Sequence, residues 1–462
     1  MIHAPPFLAA IALAFASFRV GVVSDRVAAR RRAFGWVVGS LVALLALEVA
    51  VATSAIPEVV ALPWAELHFE CLGWRLTAPF VDLLVALVAI GLAPVASHAP
   101  ATLRAILRVI ALALCVRAFD SHAAIAVAWV LQIVVAFAEI RRLGAEAGDP
   151  SLARGFAVYH GVSIASLGIG TAAFASGDPA LGVAAWLVAI AIREAALPFH
   201  SWLPALMAKA PLGLVVALVA PQTGVCAQLG VLSEHAGGEL AHGFALVGVV
   251  TSVIGAAVGL VQVEARRAAA WLAISQTGLV AFGLENVSEV GRAGAVLSWQ
   301  VMALSLSGFT MTIAALEARR GPLSLQEHGG SFARTPRMAV AFLFLGFASV
   351  ALPLTLGFVA EDLLVQGSID EFPQIGLAVI CATALNGVNV MRCFFVLFSG
   401  TRRHIGEHDL TRREAVSLTV VMAILLLGGL APRVFLGASV HESSPAHSTH
   451  AHPSNHSTNP PR

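Results

Sequence analysis

The sequence predicts an all-α polytopic membrane protein of about fourteen transmembrane helices, with two inverted five-helix repeats and breaks in helices 7 and 12. Three observations carry this prediction. The 462 residues are 58% hydrophobic and only 12% charged, with a mean hydropathy of +0.84, whereas a soluble domain carries about 25% charged residues. Apolar runs near the roughly 20 residues needed to cross a bilayer recur from end to end. Basic residues collect in every second connection between those runs. The net charge of +1 says nothing about nucleic acid, but no arginine-rich soluble face exists to bind it, so no nucleic-acid partner is expected and the lipid bilayer forms the surroundings.

Taken in order, the expected spans are Pro6–Val23, Phe34–Ser54, Thr77–Ala96, Leu103–Phe119, His122–Ile140, Gly155–Ser176, Ala180–Leu197, Leu212–Leu232, Gly243–Val263, Ala268–Leu284, Ala293–Leu316, Met338–Val365, Gln374–Phe398 and Val416–Leu430. The first is read as a membrane helix and not a cleaved signal, because no basic region precedes it and Arg19 lies within it. Arg26 and Arg30 to Arg32 follow helix 1, Arg104 helix 3, Arg141, Arg142 and Arg154 helix 5, and Lys209 helix 7. Arg266 and Arg267 follow helix 9, Arg319, Arg320, Arg334 and Arg337 helix 11, and Arg402, Arg403, Arg412 and Arg413 helix 13. The positive-inside rule then makes these connections cytoplasmic and puts both termini on the outer, periplasmic side of a bacterial inner membrane.

Residues 1–100 thus hold helices 1–3, 101–235 a first five-helix unit of helices 4–8, and 236–400 a second of helices 9–13. A loop and helix 14 occupy 401–436, and 437–462 form a His-rich tail, disordered by composition. Its imidazoles suit either weak transition-metal binding or a plain solvated tail. Cys71, Cys115, Cys226, Cys381 and Cys393 are scattered singly, so neither a zinc site nor a disulfide framework is expected.

The seventh span sets the organisation. Its apolar run carries Arg193 and Glu194 and then meets Pro198, in the stretch IREAALPFHSWLPALMAKAP from Ile192 to Pro211. Proline cannot continue a helical ladder, and irregular backbone inside a membrane must face protein or water. A second break is expected at Pro353, followed by Glu361 and Asp362. Helices 7 and 12 cross the membrane in opposite directions, as inverted repeats require.

Four stretches resemble a known family. They are Arg193-Glu-Ala-Ala-Leu-Pro198-Phe-His200-Ser-Trp202-Leu-Pro204, Gln262 through Gln276, Pro353-Leu-Thr-Leu-Gly357-Phe-Val-Ala-Glu361, and Asp409-Leu-Thr-Arg412-Arg413-Glu414. Together they resemble the proton-conducting membrane subunits: the L, M and N subunits of respiratory complex I, the Mrp antiporter subunits, related membrane hydrogenase subunits, and the membrane partner of a bicarbonate-accumulating complex. The resemblance implies the inverted repeats, and no long lateral helix follows helix 14, which suits an M- or N-like size.

Against the family's pattern, Trp129 is followed by Val130 where a glutamate is expected, Arg193 holds a lysine position, and histidine positions fall on Val219 and Met302. Of 28 basic residues only Lys209 is lysine. A desolvated lysine releases its proton; arginine, with a pKa above about 12, does not. A lysine relay is therefore unavailable.

The resemblance nominates Arg193, Glu194, His200, Arg266, Glu361, Asp362 and Arg392 as the ion pathway. Arg193 is either a fixed charge that tunes a carboxylate or half of a static ion pair; it and Glu194 point about 100° apart and need not pair together. Glu361 is the better candidate proton carrier, its rival reading being a helix-end group at the aqueous boundary. Arg392 needs a partner. His160 is a relay or a bonded core histidine, His200 a capping group, and Asp82 and Glu48 near-interface groups. Gln132, Gln222, Gln300, Asn386 and Asn389 hold water or glue helices.

Together these readings predict an antiporter-like membrane subunit of a complex I- or Mrp-type assembly, moving protons or cations with partner subunits, membrane and soluble. The rivals are the membrane partner of a bicarbonate-accumulating complex, served by a soluble zinc subunit, and a structural, non-conducting member. No cofactor is expected: a Rossmann fingerprint, P-loop, haem motif and iron–sulfur cluster motif are all missing. Any oxidoreductase chemistry belongs to other subunits.

Overall fold

The computed structural model describes residues 2–54, 56–57, 59–62, 65–69, 74–232, 238–285, 288–371, 373–400, 408–433 and 435. The expected His-rich tail, Arg402, Arg403 and Cys71 lie outside the described residues. Among the described residues the chain is helical apart from one small sheet. The first half holds α1 (Ala4–Gly21), α2 (Arg26–Ala52), α3 (Trp74–Gly91), α4 (Pro100–Ala118), α5 (His122–Ala147) and α6 (Ser151–Ser176). It continues with α7 (Pro179–Arg193), α8 (Trp202–Lys209), α9 (Leu212–Val219) and α10 (Thr223–Val231). The second half holds α11 (Glu239–Gly259), α12 (Ala265–Leu284), α13 (Glu289–Arg320), α14 (Pro336–Ala348), α15 (Leu356–Glu371), α16 (Pro373–Phe398) and α17 (Arg412–Leu430).

Among the described residues, ten helices are long and apolar enough to cross a membrane, counting α9 and α10 together. The chain is a multi-pass membrane protein. Coverage is graded: α13 is buried along most of its length, whereas α2 carries exposed Val38, Val42, Leu45 and Val49. An apolar outer face of this kind suits lipid.

The sheet was not expected. It pairs β1 (Ile2–His3) in parallel with β3 (Ala65–His68), which pairs antiparallel with β2 (Val59–Leu62). Beside it, Asp120 meets Arg75 at 2.7 Å and His3 at 3.3 Å. The hydrogen bond from His3 and the charge of Arg75 hold the Asp120 carboxyl down to about 2.

Both predicted breaks are present, but each helix stops before its proline. Helix α7 ends at Arg193, four residues short of the expected Leu197. Ala195 takes a left-handed φ of 54°, and the Ala196 N–H bonds back to the Ala191 carbonyl at 2.8 Å. That backward bond closes the helix as a Schellman turn does. Helix α14 ends the same way, with Ala351 at φ 61° and the Leu352 N–H bonded to the Phe347 carbonyl at 2.9 Å. Alanine in this region is disfavoured by roughly 1–2 kcal/mol, so the surrounding packing enforces both turns. A third break was missed. The expected Leu212–Leu232 helix divides at Ala220-Pro221-Gln222, with Gln222 at φ 43°, because Pro221 has no N–H to offer the ladder.

The basic connections reach the carbonyl ends of helices. Arg30 donates to the Ala93 carbonyl at 2.9 Å, Arg413 to that of Gly91 at 2.5 Å, and Arg320 to that of Leu397 at 3.2 Å. Terminal carbonyls lack intrahelical partners and carry the negative end of the helix dipole.

Candidate functional site

The third break gathers the buried charges. Pro221 cannot donate, and the Gln222 N–H turns to the Val219 carbonyl at 3.0 Å. The carbonyls of Leu218 and Pro221 are thereby released from the ladder. Arg193 donates to the Leu218 carbonyl at 2.6 Å, and Arg117 to the Pro221 carbonyl at 2.6 Å. Arg193 also reaches the Gln132 side-chain oxygen at 3.0 Å and Thr223 Oγ1 at 3.4 Å, while Thr223 donates to the same Gln132 oxygen at 2.9 Å.

On the other side of the break, the first turn of α10 exposes N–H groups. The Glu194 carboxylate accepts from the Gly224 N–H at 2.9 Å. Cations thus sit on the carbonyl end of α9 and an anion on the amide end of α10, the arrangement that helix dipoles favour. A side chain at Gly224 has no room: its Cβ would lie 2.6 Å from Glu194 Oε1. Arg193 and Glu194 share no ion pair among the described residues, as their angular separation allows.

Asp82 corrects the reading from sequence. It is fully buried and ion-paired with Arg117 at 3.0 Å, both side chains without exposed surface. Helix α3 begins at Trp74 and carries Pro79 inside it, so Asp82 lies at the middle of the helix and not near its start. Arg117, which sequence reasoning missed, also faces the Trp299 ring at 5.3 Å. Its signal was an arginine at the end of an apolar run, indistinguishable from an interfacial one.

The other nominated residues spread out. His200 is half-buried in the turn after the first break, its ring 5.1 Å from that of Trp271. His160 is buried, packed on Phe156 and Trp202 at ring distances of 4.0 and 4.8 Å. Its ring nitrogens have no hydrogen-bond partner among the described residues. Arg266 pairs with Glu317 at 2.7 Å and donates to the carbonyls of Met207 and Ala210. It lines an open cavity of about 900 Å³ together with Lys209, Glu264 and Glu317. Between α3 and α4, buried His98 accepts the Gly213 N–H at 3.2 Å while its Nδ1 donates to the Pro94 carbonyl at 3.2 Å. Burial pushes His98 down to about 4.

In the second half, neutral hydrogen bonds predominate around the break. Asn386 donates to Ser275 Oγ at 2.7 Å, and Ser275 to the Ser252 carbonyl at 2.8 Å. Arg392 finds its partner in the Gln262 carbonyl at 2.7 Å. Glu361 accepts a hydrogen bond from Thr383 on α16 and has no cationic partner among the described residues. Its neighbour Asp362 is exposed and bonded to Gln366 at 2.8 Å. The structure brings Arg193 and Glu194 to one break; Glu361 and Asp362 sit apart from them on α15.

Broken helices with buried charge at the breaks are an arrangement in which membrane transporters build their ion sites. Residues 158–386 match the family model described as NADH:quinone oxidoreductase/Mrp antiporter, TM, and over that stretch the chain is similar to this family. NADH-quinone oxidoreductase subunit M of Mycobacterium tuberculosis (strain ATCC 25618 / H37Rv) is 27% identical over 272 residues, covering 56% of this chain and 49% of the relative. Subunit N of Deinococcus radiodurans is 27% identical over 257 residues, covering 53% and 51%. The chain spans about half the length of the curated relatives it matches.

Solved structures agree on the fold over nearly the whole chain. A chain of respiratory complex I from Thermus thermophilus with bound NADH superposes with a TM-score of 0.78 at 17% identity, covering 95% of this chain and 99% of that one. A chain of the Mrp complex from Dietzia sp. DQ12-45-1b gives 0.77 at 17% identity, covering 94% and 96%.

Proposed function

We propose that this chain is an antiporter-like membrane subunit of a complex I- or Mrp-type assembly, translocating protons or cations in concert with partner subunits. The observation that carries the reading is Glu361, a carboxylate inside the second broken span with a hydroxyl donor and no cation among the described residues. A carboxylate of that kind is free to exchange a proton; one locked in an ion pair is not. Arg193, Glu194, Arg266 and Arg392 would then shape the field and brace the backbone, with His200 near one mouth. In this reading α7 with α8, α9 with α10, and α14 with α15 each form one interrupted span, giving fourteen. Helices 4–8 and 9–13 are the inverted units, supported by the shared closure at Ala195 and Ala351. Both termini face the periplasm of a bacterial inner membrane, as the alternation of arginines favours.

A structural, non-conducting role is the second reading. The engagement of Arg193 and Arg117 by backbone carbonyls favours it for the first half. One experiment separates the two: purify the intact complex, reconstitute it in proteoliposomes, and compare proton flux with and without Glu361→Gln. Loss of flux by tenfold or more with the complex intact supports conduction; unchanged flux supports the structural role.

A further inference from the structure

An exposed carboxylate on an apolar membrane face calls for a partner, and α15 carries one. Its outward stripe reads Phe358, Asp362, Gln366 and Ile369, with Phe358 45% and Ile369 44% exposed. The three- and four-residue spacing puts these side chains on one face. Neighbouring α16 continues the apolar surface with exposed Leu377 and Ile380.

The depth of Asp362 follows from α16. Glu361 bonds to Thr383, which lies ten residues after Pro373 and fifteen before Phe398 along that helix. At 1.5 Å per residue, Thr383 is roughly 15 Å from one end and roughly 22 Å from the other. Asp362, next to Glu361, is therefore near mid-membrane, where a charge facing lipid costs at least about 2.5–3.5 kcal/mol. Its one hydrogen bond, from the neutral Gln366 amide, does not neutralise it, and no cation of this chain reaches it among the described residues.

We infer that the outward face of α15 docks a transmembrane helix of a different membrane subunit, which presents a lysine or arginine to Asp362. The inference rests on the assembly reading above. A second copy of this chain fits less well. Two-fold pairing would place carboxylate against carboxylate. An exposed cation on another face, such as Arg108 on α4, bonded through Nε to Ser17 at 3.3 Å, would give a head-to-tail contact that does not close.

The test is photocrosslinking in the native membrane, with p-benzoylphenylalanine at Phe358 of the full chain and the adduct mapped by mass spectrometry. The expected adduct is to a transmembrane segment of another membrane polypeptide that contains a basic residue. Asp362→Asn should cut its yield at least fivefold and Asp362→Glu should restore it. Adducts confined to lipid while other subunits still copurify would overturn the docking surface and leave the assembly reading intact; so would an adduct to the Arg108 face of a second copy. A chain that purifies alone would sink both. If Asp362→Asn fails to accumulate, the adduct on the unsubstituted background decides the question alone.

Discussion

The two halves close their broken helices with one backbone device and surround it with opposite chemistry. At Ala195 and at Ala351 a left-handed residue and a backward amide bond end the helix ahead of a proline. The first half then adds Asp82, Arg117, Arg193 and Glu194, all buried, around the further break at Pro221. The second adds the serine and asparagine bonds around Ser275, Arg392 on a backbone carbonyl, and Glu361 with no cationic partner among the described residues. Arginine cannot give up its proton at any physiological pH, so in the first half permanent charge serves as mortar for exposed backbone. Glu361, by contrast, has a hydroxyl donor and no cationic partner among the described residues. The difference separates a break braced by buried charge from one that holds a carboxylate without a cation.

The sharpest way to break this comparison is to remove the mortar. Arg117→Ala leaves Asp82 as an uncompensated buried charge and frees the Pro221 carbonyl. Breaking a buried pair from one side costs about 3–5 kcal/mol, so thermal unfolding of the detergent-solubilised protein should fall steeply. Adding Asp82→Asn should recover part of the loss, since coupled partners are not additive. A small effect from Arg117→Ala would mean that the break does not depend on the cation.

The Glu194 seat gives the next test. In Gly224→Ala the new methyl meets Glu194 Oε1, and overpacking costs about 1–3 kcal/mol. Shortening the acid in Gly224→Ala/Glu194→Asp should relieve it, measured by the same unfolding transition. Gly357 in the second half offers the contrast. Its Cβ would lie 2.0 Å from the Ala348 carbonyl, a backbone atom that no side-chain trimming can move.

Acid should act on the first half through His98. Its folded-state value near 4 lies below the ordinary 6.5, because burial disfavours the cation. Between those values the unfolded chain binds a proton that the folded chain refuses. Its contribution is therefore largely present above pH 6.5 and is lost progressively as pH falls toward 4, by roughly 1 kcal/mol near pH 5.5. His98→Gln keeps an acceptor for the Gly213 N–H and should flatten the stability profile between pH 7.5 and 5.5.

Much of this division was legible in the sequence. Prolines and charges inside apolar runs announced both expected breaks, and Glu361 was nominated beside the second. Asp82 was misplaced because the onset of α3 was put at Thr77 in place of Trp74, and three residues separate an interfacial group from a central one. Arg117 was missed because one dimension hides a side chain that reaches inward from a helix end to a distant carbonyl. Pro221 stood in plain view, but the apolar run around it reads as an unbroken span. The sheet from Val59 to His68 lacked alternation strong enough to register.

The smallest expected effect completes the contrast. If the second half is held by neutral bonds, losing one should cost little. Asn386→Ala removes the donor to Ser275 Oγ, yet Ser275 keeps its bond to the Ser252 carbonyl at 2.8 Å. The hydroxyl therefore stays satisfied as a donor and no charge is stranded. Interhelical hydrogen bonds in membranes average about 0.6 kcal/mol, so the unfolding midpoint should move several-fold less than for Arg117→Ala. Equal losses at the two sites would erase the distinction, since a neutral network would then be bracing its half as firmly as buried charge braces the other.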